Sequence, residues 1–168
     1  MFKVGDRIVY PSVGVGRIEG VVTRTVGDQT LKFFQVRIDD KQAQLMIPVD
    51  GVERLGIRAL VRGKGVNAVL DVFNSTPDLE MFRTWSKRFR TYEDRLKSGN
   101  PFEIAEVLRD LMLQARRKEL SFGEKKVMEM ARQLLIRELA FSTESDEDSV
   151  FKKVTARVEK AWQSLDLS

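Results

Sequence analysis

Two periods run along this chain, and one gives way to the other near residue 60. Before that point, apolar residues alternate with polar ones or form short runs rich in Val, Ile and Phe. DRIVY, GVGRIEGVVT, LKFFQVRI and AQLMIPV each carry the pattern of a strand. YPSVG, VGDQT and DDKQ supply the turns between them, with Pro11 fixing φ and glycines tolerating positive φ. VERLGIRAL predicts a further short strand. Short strands at this density predict a small antiparallel sheet, either curled as in SH3-like barrels or open with more exposed edge.

After VRGKG the apolar period becomes helical. Val66, Val69, Leu70 and Phe73 mark a short helix that Ser75-Thr76-Pro77 interrupts. A second helix is expected from about Thr84 to a terminating Gly99, with Met81, Trp85, Phe89, Tyr92 and Leu96 as one stripe. Asn100, Pro101 and Glu103 predict the capped start of a third, with Ile104, Leu108, Leu111 and Ala115 inward. Ser121 and Glu124 predict a capping box for a fourth, whose stripe is Val127, Ala131, Leu134 or Leu135, and Leu139. STESDEDS opens a fifth, with acids at its positive dipole end; its face is Val150 or Phe151, Val154, Val158, Ala161 and Leu165. The expected fold class is therefore α+β, with a β domain over residues 1–60 and an all-α bundle of about five helices over 61–168.

Composition narrows the chemistry. The chain has 168 residues and a net charge of +4, a mild basic excess that permits a polyanionic partner without demanding one. It contains neither cysteine nor histidine, which removes disulfides, thiolate catalysis, Cys/His zinc sites and the usual general base near neutral pH. The carboxylates are scattered among caps and turns, with no acid/base couple. The glycines of VGVGRIEG and RGKG lack P-loop spacing. The expectation is a protein that is not an enzyme and needs no cofactor, metal or small-molecule substrate. MFKVGDRIVY lacks the apolar core of a secretory signal, and no apolar run reaches the ~20 residues of a membrane helix, so a cytoplasmic location without a membrane partner is expected.

One segment stands out: FRTWSKRFRTYEDRLKSG, residues 82–99. Arg83, Lys87, Arg88 and Arg90 surround Trp85 with no acid before Glu93. The stripe spacing puts Trp85 in the core and leaves the cations as a solvated face. Its place in the first turn also lets it project past the helix end, where an aromatic among cations could wedge between bases. SFGEKK offers a second basic point, with Phe122, Lys125 and Lys126 at a helix start that is equally an ordinary one. The β domain could recruit a partner strand at an open edge.

FKVGDRIVYPSVGVGRIEGV, MIPV and GIRAL resemble the N-terminal domain of the CarD family of bacterial transcription regulators, also called CdnL. WSKRFR, SGNPFEIAEVLRDL and ELSFGEKKVMEMARQLLIRELA resemble that family's helical domain, so the resemblance runs through nearly the whole chain. It implies an SH3/Tudor-like barrel that binds the β subunit of bacterial RNA polymerase by edge-strand addition. It implies a helical domain on promoter DNA at the upstream edge of the melted region, where a tryptophan wedged in the minor groove stabilises the open complex, notably at ribosomal RNA promoters. Carried over residue by residue, the wedge is Trp85. Lys87, Arg88 and Arg90 contact phosphate or groove, and Phe122 and Lys126 form a second DNA-facing point. Arg24, Val36, Met46 and Pro48 fall on the polymerase side. Some relatives carry an arginine where this chain has Met46, so apolar packing stands in for that contact. A monomer in the cytoplasm, held to the nucleoid through RNA polymerase, is implied. The strand-loop-strand also resembles KOW-type domains, which leaves an RNA- or ribosome-binding protein as the alternative.

Overall fold

The computed structural model describes residues 1–39, 41–77 and 85–165, and for 85–88 the backbone alone. It divides into two compact units, Met1–Leu60 and Val61–Ser168.

The first unit is one antiparallel sheet of β1 (Arg7–Tyr10), β2 (Gly14–Val26), β3 (Gln29–Ile38), β4 (Ala43–Pro48) and β5 (Arg58–Ala59). Their order is β4-β3-β2-β1-β5, so β4 and β5 are the outer strands. VERLGIRAL yields only the two residues of β5, because Val49–Gly51 turns as 3-10 helix and the residues after it stay in turns. Alternation does the sorting: Phe34, Val36 and Ile38 of β3 join Ile8, Ile18, Ile47 and Ile57 in one cluster, while the odd-numbered residues of β3 face away. A bulge between Ile18 and Gly20 shifts the register of β2 against β3 and lets the sheet bend around that cluster.

The second unit holds α1 (Lys64–Asp71), α2 (Trp85–Ser98), α3 (Pro101–Arg117), α4 (Phe122–Thr143) and α5 (Glu147–Ser164). The helix starts follow the local chemistry. Asn100 accepts from the Phe102 N–H at 2.9 Å, so this cap closes on the second helical position and Glu103 plays no reciprocal part. Ser121 and Glu124 do form the full capping box. Of STESDEDS, Ser142 and Thr143 still belong to α4, and Asp146 is the cap of α5, accepting from the Ser149 N–H at 2.8 Å. That bond holds the Asp146 carboxyl below its usual pKa.

The core of this unit runs from Val66, Val69, Leu70 and Phe73 through Leu108, Leu111, Leu135 and Leu139 to Val154 and Val158. Helix α3 is central, touching α1, α2, α4 and α5. Its buried face is correspondingly wide and takes in Val107, Leu113 and Gln114, which leaves Ala115 exposed and outside the expected stripe. On α4 the buried choice is Leu135, and on α5 it is Val150; Leu134 and Phe151 only flank the core.

The tightest approach in the sheet is at Gly16. A Cβ there would lie 2.7 Å from Val36 Cγ1 and 3.0 Å from Ile38 Cδ1. Gly16→Ala should therefore overpack the first unit and cost about 1–3 kcal/mol. A lowered urea midpoint checks this, and an unchanged one would mean the sheet absorbs the methyl freely.

Candidate functional site

In the helical unit, the two basic-aromatic points of the sequence meet. Trp85 is the first residue of α2, and Phe89 follows one turn later on the same stripe. A Cβ on Gly123 would lie 3.7 Å from Phe89 Cε2, so the ring rests against the first turn of α4. Phe122, the residue beside it, is 85% exposed. From Phe122 the exposed face of α4 continues at intervals of four through Lys126 to Met130, itself 43% exposed. Phe122, Lys125, Lys126, Glu129, Met130 and Gln133 line an open, shallow depression there. Lys125 pairs loosely with Glu119 at 3.5 Å. Arg90 is exposed on α2. The side chains of Trp85, Lys87 and Arg88 lie outside the described residues, as do Met81 and Arg83.

Buried groups hold α2 in place. Tyr92 and Leu96 are buried and Phe89 is half-buried against the core. The Tyr92 hydroxyl donates to Asp110 Oδ2 of α3 at 3.3 Å, and Arg109 Nε donates to Asp110 Oδ1 at 3.0 Å. Burial pushes the Asp110 carboxyl above its usual pKa, opposed by the charge and hydrogen bond of Arg109. Arg95 and Glu106 add a second tie between α2 and α3 at 3.1 Å. The sequence does not single out Asp110, which directly follows Arg109.

In the β unit, the face of the sheet away from its core carries the other candidate residues. Cross-strand partners share a face. Val22, Phe33 and Pro48 form one row across β2, β3 and β4, and Gly20, Gln35 and Met46 form the next. Arg24 pairs with Leu31 beyond the end of β4. Arg24, Met46 and Pro48 therefore share one face with Phe33, Leu31 and Val26, and Met46 is 37% exposed. Towards the other end this face is polar: Arg37 donates to Glu19 at 2.6 Å, and Gln44 lies near the same carboxylate.

Val36 does not belong to that surface, which corrects the expectation for it. Its side chain is 0% exposed in the core cluster, and its strand is paired to Ile18 on one side and Leu45 on the other. Neither its side chain nor its backbone is open to a partner. β4 and β5 are the outer strands, and among the described residues β4 is laddered to β3 alone, which leaves its other backbone edge available. The sequence did not single out Phe33, Leu31 or Met130. Register identifies the first two and a four-residue step from Lys126 the third.

Among the described residues, no group of three or more His, Cys, Asp or Glu could hold a metal ion. No helix among them is long and apolar enough to cross a membrane.

Residues 68–155 match the family of the CarD C-terminal domain, and residues 2–61 match the CarD-like/TRCF RID domain. A curated relative from Bacillus subtilis (strain 168), the putative transcription factor YdeB, is 30% identical over 139 residues, covering 83% of this chain and 90% of the relative. The solution NMR structure of the 72-residue N-terminal domain of Myxococcus xanthus CarD is 36% identical, over 35% of this chain and 79% of that one, with a TM-score of 0.31.

Proposed function

The chain belongs to the CarD family, and from that premise we propose a transcription regulator that binds RNA polymerase through its sheet unit and promoter DNA through its helical unit. On the polymerase, the β subunit adds to the edge of β4, with Arg24, Met46 and Pro48 alongside it. On the DNA, Trp85 wedges into the minor groove at the upstream edge of the bubble. Lys87, Arg88, Arg90 and Lys126 meet phosphates around it. This chain itself supplies no catalytic step, and such a protein works in the cytoplasm.

The observation that carries this reading is the contact of Phe89 with the first turn of α4. It supports one continuous aromatic and cationic face where the sequence offers two separate points. Phosphate contacts set affinity and register, and a wedge between base steps favours DNA already unstacked or melted. Such a protein binds the open complex more tightly than the closed one, and its effect equals that difference in affinity. Promoters with short-lived open complexes, such as those of ribosomal RNA genes, should respond most.

Trp85→Ala should leave polymerase binding and the melting temperature nearly unchanged and shorten open-complex lifetime. If lifetime stays constant while the protein melts much lower, Trp85 is a core residue and has no role on DNA. Arg24→Glu should weaken capture of RNA polymerase without altering binding to free DNA. Undiminished capture would remove Arg24 from the interface, and recovery of ribosomes in place of polymerase would favour the RNA-binding alternative.

A further inference from the structure

Half of the fourteen residues of α2 are Lys, Arg, Asp or Glu, so this helix has few apolar side chains with which to fix its position. Apolar contacts also leave a helix free to rotate or slide by small amounts, because they lack direction. A wedge at its first residue needs more than that. Misplacing a contact group by about 1 Å removes much of its effect.

We infer that Arg109 and Asp110, neighbours on α3, are positioning residues that tie down α2 on the C-terminal flank of Trp85, its first residue. Asp110 holds the C-terminal flank by accepting from the Tyr92 hydroxyl at 3.3 Å. Arg109 is anchored on its other side: its Nη1 donates to Ser75 Oγ at 2.8 Å and lies 3.5 Å from the Val72 carbonyl. The two act as one unit because Arg109 Nε donates to Asp110 Oδ1 at 3.0 Å. The pair is costly for stability alone. The Asp110 side chain is 0% exposed and that of Arg109 12%. Removing both charges from water costs about what their attraction returns, and apolar replacements of such pairs are often neutral or stabilising. What the pair adds is direction, through hydrogen bonds to Tyr92 on one side and Ser75 on the other.

This inference rests on the reading of Trp85 given above for its effect on transcription, but its first test does not. Tyr92→Phe removes one hydroxyl and keeps the ring, and Ser75→Ala removes the hydroxyl that anchors Arg109. In a Trp162→Phe background Trp85 is the sole tryptophan, and each variant should lower its fluorescence anisotropy while the helical circular dichroism stays unchanged. Each should also shorten open-complex lifetime by about 2- to 10-fold, the range of one lost hydrogen bond. In a Trp85→Ala background neither should shorten it further, because they act through that side chain. Equal shortening in both backgrounds, or unchanged anisotropy in both variants, would overturn the positioning role. If Trp85→Ala alone leaves lifetime unchanged, the DNA reading has failed, and anisotropy by itself decides the positioning claim.

Discussion

Phe89 leans on the first turn of α4, its ring edge 3.7 Å from where a Cβ on Gly123 would lie. Phe89 sits one turn after Trp85 and Gly123 one residue after Phe122, so this contact brings together two helix starts separated by more than thirty residues of chain. Each start alone is an ordinary helix beginning with some basic residues. Joined, they bring exposed Phe122 and the start of α4 up against α2, on which Arg90 is also exposed. Phosphate binding needs several cations within one footprint, and a base wedge needs an aromatic inside that footprint.

The contact depends in turn on α3, which lies between the other helices and fixes α2 through polar as well as apolar groups. The apolar part, Tyr92 and Leu96, supplies most of the stability by area removed from water. The polar part, Asp110 with Arg109, supplies orientation. The sheet unit separates the same two roles by alternation. One face of β3 packs the core, and the other presents Phe33 and Leu31 beside Arg24, Met46 and Pro48. Helix stripe and strand alternation thus leave each unit one buried side and one exposed side.

Much of the fold was legible in the sequence because its signals are local. The strands of DRIVY to AQLMIPV, the Asn100 and Ser121 caps and the stripe on α5 all came from residues within a turn or a strand of one another. The misses are where tertiary neighbours decide. Glu103 fits a capping box by spacing, but Asn100 bonds Phe102. Ala115 fits a stripe by spacing, but α3 buries a wider face that ends before it. Val36 fitted a binding strand by resemblance, but strand parity turns it inward between two paired neighbours. Asp110 carried no signal, because Tyr92 reaches it from another helix and its neighbour Arg109 is tied to Ser75 in a distant turn. Periodicity also left Trp85 open between core and surface, since a first-turn residue satisfies both.

The central claim is that the start of α2 meets promoter DNA at the edge of the bubble. The direct measurement is photocrosslinking from position 85, with a photoreactive phenylalanine in place of Trp85, in complexes of the full chain with RNA polymerase and a promoter fragment. The account predicts crosslinks to the minor groove at the upstream edge of the melted region, formed with polymerase present and lost when the promoter is held closed. Crosslinks confined to this protein's own helices, or to DNA irrespective of melting, would contradict it.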